Sequence, residues 1–380
     1  MANRAANAGS DPRAEALVAH FEREGYARAA PALLQPADPF LDLSGEDIRR
    51  RMYLTTDAEG HELCLRPDLT IPVARDYLAS ASAGQPAGFC YLGPVFRQRG
   101  TASGEFLQAG IESFGRDDEA AADAEMLALG LEACAQYGLA QPEIRVGDVA
   151  LFSGLLATLD LAPAWRRRLV KDFNRKANLA SDLDRLVRET AHKRPPYQGV
   201  LAALAGSDPQ GAHALVTDLL AIAGISTVGG RSIDEIADRF LDQAALGATA
   251  GLPAEMRALI ERFLGIAGDP DAAALDLRAL AGDSATEMDR VIDRFESRTG
   301  FLAARGVDVA NIRFSTAFGR GLDYYSGFVF ELHAPAGGDG PLVAGGRYDG
   351  LLTRLGNPRP IAAVGFAAWI ERLAAIGGAA

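Results

Sequence analysis

Residues 89–97, FCYLGPVFR, and residues 105–114, EFLQAGIESF, decide the fold. Both runs are rich in aromatic and aliphatic side chains. The segment between them, QRGTASG, has the composition of a loop, so the pair reads as two strands and their connection. Side chains alternate faces along a strand, which puts Gln108, Gly110 and Glu112 on one face. A glutamine and a carboxylate with a bare glycine between them form a short polar stripe, and Gly110 leaves room for a ligand at the backbone. The apolar neighbours Phe106, Ile111 and Phe114 argue against a plain solvent-facing edge.

Upstream, residues 1–11 read as disordered, and Ser-Asp-Pro then opens a helix from Pro12 to about Ala30, with Ala16, Leu17, Phe21 and Tyr26 at helical spacing. Residues 61–66, HELCLR, alternate like a strand that Pro67 ends, and a helix is expected over 71–79. Downstream, Asp117-Asp118-Glu119 open a helix, since acids favour its N-terminus, and Gly138 follows its end. Residues 143–149 read as another strand. From Ala164 to about Arg305 the chain is Ala/Leu/Asp/Arg-rich, with breaks at Pro195-Pro196, Gly229-Gly230 and Gly268-Pro270, which predicts a helical insertion. Strands return at 311–315 and 327–333. Residues 341–349 read as a Gly-rich turn, and 361–375 as a strand running into a helix. Strands at both ends with helices between predict an α+β fold, an antiparallel sheet flanked by helices. The expected division is 1–163, first part of the core; 164–305, helical insertion; 306–380, second part of the core.

The chain has 380 residues and a formal charge of −12, a field that repels phosphate backbones and argues against a nucleic-acid partner. Cys64, Cys90 and Cys134 are widely spaced, without a CxxC or a Cys/His cluster, so no metal is expected. No apolar run is long enough to span a membrane and no signal peptide is evident, so a cytoplasmic address is expected.

Chemistry concentrates in polar islands inside apolar strands, where such side chains are costly unless paired or used. Arg66-Pro67-Asp68-Leu69-Thr70 brings a carboxylate and a hydroxyl together as partners for an ammonium group. Asp68 or Thr70 reads equally as a helix N-cap, the stronger reading of the island alone. Arg97 ends the first strand, and Gln108 and Glu112 follow. Arg320-Gly321-Leu322-Asp323-Tyr324-Tyr325 supplies an arginine fork for a carboxylate and two tyrosines as walls for a flat ring. A structural tyrosine pair with a surface arginine explains that island equally well by itself. Ala344–Gly350, AGGRYDG, is weak evidence alone, because turns use glycine widely.

Together the islands carry a resemblance. YLGPVFR followed by FLQAGIESFG resembles motif 2 of class II aminoacyl-tRNA synthetases. GRGLDYYSGFVFE and AGGRYDGL resemble the two histidine-site signatures of histidyl-tRNA synthetase, VGFAAWIERL resembles motif 3, and RPDLT is similar to the segment that holds the α-amino group. The order and spacing agree over nearly the whole chain outside the helical middle. The resemblance implies a histidine site made of Asp68, Thr70, Arg97, Gln108, Glu112, Arg320, Tyr324 and Tyr325. In it Arg320 and Gln108 take the carboxylate side, Asp68 and Thr70 the ammonium, and Glu112 and Tyr324 the imidazole nitrogens, with Tyr325 as a wall.

The sequence departs from the synthetase pattern in three places. Arg99 stands where motif 2 has an acid facing the adenine, and Gly104-Glu105 stand where it has an arginine. Trp369 replaces the motif 3 glycine against which ATP lies, so an indole fills nucleotide space unless it turns into the core. The chain ends soon after Arg372, so no anticodon-binding domain is expected. Arg97 and Arg372 still match the two phosphate-contacting arginines. These features resemble the regulatory subunit family of ATP phosphoribosyltransferase, the first enzyme of histidine biosynthesis. That resemblance implies a non-catalytic, histidine-responsive chain without cofactor, self-associated as a dimer and joined to the short-form catalytic subunit in a hetero-octamer. The alternative is an enzyme that activates histidine by adenylation or aminoacylation.

Overall fold

The computed structural model describes residues 11–43, 48–173, 175–188, 209–224, 236–237, 241, 253–282, 286–322, 324–335, 337–338 and 340–377. The expected disorder of 1–11 therefore falls, but for Asp11, outside the described residues, as do the expected breaks at Pro195-Pro196 and Gly229-Gly230 and the motif residue Asp323.

The strands are β1 (Ala27–Arg28), β2 (Leu34–Pro36), β3 (Tyr53–Thr56), β4 (Glu62–Leu65), β5 (Ala87–Phe96), β6 (Glu105–Phe114), β7 (Glu143–Asp148), β8 (Ala267–Gly268), β9 (Ile312–Ser315), β10 (Phe328–His333), β11 (Val343–Arg347) and β12 (Ala363–Trp369). Nine of them form one sheet in the order β1-β5-β6-β12-β11-β10-β7-β9-β8, and β2-β4-β3 form a small second sheet. The centre of the large sheet, from β5 to β7, is antiparallel throughout. The expected α+β fold with its antiparallel sheet is present, and parallel pairs add to it toward the edges, β1 with β5 and β7 with β9. The expected strand pair is present with full register, Ala87 opposite Phe114 through Phe96 opposite Glu105.

The helices begin where local chemistry starts them. Asp11 caps the Pro12–Arg23 helix by accepting from the Arg13 N–H at 2.9 Å, with Pro12 in the first turn. That helix stops at Arg23, short of the expected Ala30, and the chain then forms β1. The Glu119–Gln136 helix ends before Gly138, whose φ of 88° suits glycine alone.

The stretch expected as a Gly-rich turn is the central strand β11. Gly345 lets it lie close to β12, because a Cβ there would strike the Gly365 carbonyl and Phe366. Glycine read from sequence signals a turn, whereas here it answers the need for close strand approach.

The chain forms two compact units, residues 1–154 with 263–380, and residues 155–262. These boundaries differ from the expected insertion at 164–305. The Thr286–Ala304 helix belongs to the first unit, where its Arg298 is buried against Asp123 at 3.2 Å and Asp148 at 2.7 Å. Ion pairing of buried charges, invisible in helical periodicity, ties it there. The described helices of the second unit include Pro163–Asp172, Lys176–Arg188 and Pro209–Ile222.

Candidate functional site

A cleft in the first unit holds a cavity of about 190 Å³, smaller than the roughly 300–1,000 Å³ of drug-sized ligand sites and so suited to a small ligand. Asp68 and Thr70 reach it from the start of the Thr70–Ala79 helix, Arg97 from the end of β5, and Gln108 from β6. Arg320, Tyr324 and Tyr325 reach it from the segment before β10.

One side of the cleft has acceptors without donors. Asp68 Oδ1 accepts from the Ile71 N–H at 3.2 Å, so the helix-capping reading holds for one oxygen. Its Oδ2 is buried without a hydrogen-bond partner, as is Gln108 Oε1. A buried unsatisfied acceptor costs about 1–3 kcal/mol, and a ligand bearing N–H donors relieves both. Burial pushes the Asp68 carboxyl upward, while Arg97 pulls it the other way. Thr70 donates its hydroxyl proton to Glu112 Oε1 at 2.7 Å, which leaves it an acceptor toward the cleft.

The lining is also cationic. Burial lowers Arg97 to about 10, with Asp68 offsetting part of that, so the guanidinium stays charged at neutral pH. Its Nε donates to the Pro67 carbonyl at 2.7 Å, which ties β5 to the Asp68 turn. Arg320 donates through Nη1 to the Tyr325 hydroxyl at 2.6 Å and through Nε to Glu331 at 3.3 Å. Arg51 adds a third guanidinium to the lining.

The wall is aromatic. Tyr324 and Tyr325 have ring centroids 4.9 Å apart, and Tyr348 meets Tyr324 edge-on at 5.7 Å. Cation, unsatisfied acceptors and rings together suit a zwitterion that carries a flat side chain.

Glu112 is the one expected site residue that does not line the cleft. It lies fully buried behind the wall, where Oε1 accepts from Thr70 and from the Tyr91 hydroxyl at 3.1 Å and Oε2 from the Tyr348 hydroxyl. Burial raises its carboxyl to about 8 against the opposing pull of these hydroxyls. Gly110 is corrected too. Its bare backbone accommodates the Tyr91 ring and the Phe366 carbonyl, not a ligand.

Sequence reasoning missed Tyr348 as a lining residue, although it sits in the quoted AGGRYDG island, and it missed Arg51, the last of three consecutive arginines. Arg347 beside Tyr348 points the other way and is buried against Asp123 at 2.7 Å. Trp369 is 9% exposed and still lines the cleft, so core and site readings both hold for it. The Arg372 guanidinium lies 5.1 Å from the Trp369 ring centroid and donates to the Pro341 carbonyl at 2.6 Å. Arg99 lies 4.3 Å from the Phe106 ring centroid and donates to the Ser103 carbonyl at 2.8 Å. Asp57, Glu59 and His61 cluster at the exposed β3–β4 turn, where the Asp57 carboxylate is engaged by the Glu59 and His61 N–H groups and the His61 ring.

The family model for histidyl-tRNA synthetase matches residues 11–228 and 211–373. The ATP phosphoribosyltransferase regulatory subunit of Brucella canis is 42% identical over 348 residues, 91% of this chain and 92% of that protein. The protein of the same name from Brucella melitensis biotype 1 is 42% identical over 91% of each chain. Two solved structures share the fold. An ATP phosphoribosyltransferase regulatory subunit/histidyl-tRNA synthetase from Bacillus halodurans C has a TM-score of 0.65 at 21% identity, covering 96% of this chain and 77% of that one. A histidyl-tRNA synthetase from Nostoc has a TM-score of 0.61 at 17% identity, covering 96% and 70%.

Proposed function

The chain belongs to the ATP phosphoribosyltransferase regulatory subunit family, built on a class II synthetase fold, and from that premise we propose that its cleft is a histidine-sensing site without catalytic activity. The chain is a regulatory subunit of ATP phosphoribosyltransferase and so serves histidine biosynthesis. Its partner is the catalytic subunit of that enzyme.

One observation carries the ligand reading. Asp68 Oδ2 and Gln108 Oε1 are buried acceptors without partners, in the same cleft as the Arg320 fork. Asp68 and Thr70 take the ligand ammonium, and Arg320 takes the carboxylate. Gln108, in the same lining, uses its orphan oxygen toward the ammonium and its amide N–H toward the carboxylate. The tyrosine wall faces the imidazole. Tyr324 keeps its place at the ring, whereas Glu112 acts through the hydroxyls of Thr70 and Tyr348. Arg97 supplies positive potential beside the carboxylate.

Two features support loss of ATP chemistry. The Trp369 indole takes up part of the cleft, and both Arg99 and Arg372 are engaged by carbonyls and rings of this chain. In the proposed assembly the chain self-associates as a dimer and joins short-form catalytic subunits in a hetero-octamer. Histidine acts by binding two assembly states unequally, for which a coupling of about 1–3 kcal/mol suffices. The setting is cytoplasmic, with neither nucleic acid nor membrane as partner. No helix among the described residues is long and apolar enough to cross a membrane.

The deciding experiment is calorimetry of the purified chain with L-histidine and, separately, ATP, alongside histidine-dependent ATP–pyrophosphate exchange. Histidine binding without exchange is expected. Robust exchange sinks the non-catalytic reading and establishes the histidine-activating alternative, which Arg97 in the cleft motivates.

A further inference from the structure

We propose that Glu331 is the positioning residue that presents Arg320 to the cleft, with His333 holding Glu331 in turn. The function of this pair rests on the reading of the cleft as an amino-acid site.

Along β10 the residues alternate. Phe328, Phe330 and Leu332 are buried on one face, while Glu331 and His333 share the other and are only partly covered. Glu331 is paired across the sheet with Ala344 of β11, and Ala344 lines the cleft. A carboxylate is thereby placed beside the cleft without lining it. Its Oε1 lies 3.3 Å from Arg320 Nε, and its Oε2 lies 2.9 Å from His333 Nε2. His333 is in turn paired across the sheet with Glu143 of β7. Glu143 holds Arg145 at 2.9 Å and Arg313 at 2.8 Å. Polar residues in register thus extend from the cleft toward the β7–β9 side of the sheet, bonded from Arg320 as far as His333.

The chemistry of the guanidinium gives this series a purpose. Arg320 is anchored at two nitrogens, Nε on Glu331 and Nη1 on the Tyr325 hydroxyl at 2.6 Å. Two anchors fix the plane of a rigid fork. Nη2 has no hydrogen bond among the described residues, and its N–H groups are the ones available to a ligand carboxylate. An unanchored arginine would lose rotamer freedom of about 2 kcal/mol when it clamps a ligand, whereas an anchored one has lost most of it already. The side chains of Arg320, Glu331 and His333 are 12%, 19% and 15% exposed, so the contacts are shielded from water, unlike a surface ion pair.

A merely structural ion pair would affect every ligand of the cleft alike. Positioning of Arg320 concerns only ligands that carry a carboxylate. The test measures L-histidine and histamine binding by calorimetry for the full-length chain and its E331A, E331Q and H333N variants. Histamine keeps the ring and the ammonium and lacks the carboxylate. E331A is expected to weaken L-histidine about 10-fold and histamine by less than about 2-fold. E331Q, which retains an oxygen for Arg320 Nε, is expected to recover L-histidine affinity to within about 3-fold. H333N is expected to shift L-histidine in the same direction as E331A by a smaller factor. An E331A variant that loses neither ligand, or loses both equally, overturns the proposal.

If the unmodified chain binds no L-histidine, the amino-acid reading of the cleft has failed, and the positioning contact is judged without ligand. The arginine Nε–H spectrum of the ligand-free chain, with the Arg320 signal identified by its loss in R320K, should then move in E331A and move less in E331Q. An unmoved signal in E331A overturns the positioning role itself.

Discussion

Thr70 donates its hydroxyl proton to Glu112 across 2.7 Å, which joins a residue at the cleft surface to a carboxylate buried behind it. The same carboxylate holds Tyr348, another lining residue. Glu112 therefore shapes the cleft from the rear, and substitutions there and at the surface have different consequences.

Arg320→Ala removes the fork and leaves the rest of the wall in place. L-Histidine affinity should fall by about 10–100-fold, the worth of one charge-assisted pair. Copurification with the catalytic subunit should persist. Loss of assembly as well would show that the segment is structural.

Glu112 makes stability depend on pH in a stated direction. Its carboxyl is raised from an ordinary 4.5 to about 8, chiefly by burial. Between those values the folded chain holds a proton that the unfolded chain releases, so this contribution is full below pH 4.5 and is lost as pH rises toward 8. Glu112→Gln cannot ionise and should flatten that decline, by something on the order of 1–4 kcal/mol across the window. Tyr348→Phe removes one of the hydroxyls that pull the carboxyl down and should extend the decline to higher pH. Urea unfolding at a series of pH values measures both.

Gly365→Ala tests the close packing of β6 on β12. A Cβ there would collide with the Glu112 carboxylate and the Ile111 carbonyl. The backbone cannot yield cheaply, so a loss of about 1–3 kcal/mol is expected in chemical denaturation. An unchanged midpoint would show that both Glu112 and the β6 backbone yield to the added methyl group.

Arg298→Met tests the buried ion cluster. Arg298 bridges Asp123 and Asp148, while Arg347 pairs with Asp123 at 2.7 Å. Removing one cation leaves Asp148 buried without its partner, at a cost of about 3–5 kcal/mol. Asp148→Asn in the Arg298→Met background should recover part of that loss, because the stranded charge is then gone. No recovery would assign the loss to packing.

Local pattern was enough for the elements with strong alternation. β5, β6 and β10 lie close to where side-chain period places them, because one face of each must be apolar. β11 escaped because Gly345 and Gly346 resemble a turn until the neighbouring strands are known. β2 and β3 escaped because they are short, and their pattern is too brief to carry a period. The Thr286–Ala304 helix falls in the first compact unit, which its sequence did not reveal because helical periodicity is the same for an element of either unit.

The cast of the cleft was legible in the sequence through the resemblance of its islands to the histidine-site motifs, because each polar island alone also had a structural explanation. Asp68, Thr70, Arg97, Gln108, Arg320, Tyr324 and Tyr325 all meet in one cavity. Depth was decided only by the tertiary structure. Period two tells which face Glu112 shares with Gln108, but not that Tyr348 from another strand end covers it and gives it a hydroxyl. The partners of Arg320, Glu331 and His333 were likewise out of reach, because strand alternation specifies a direction for each side chain and only the assembled fold specifies what waits there.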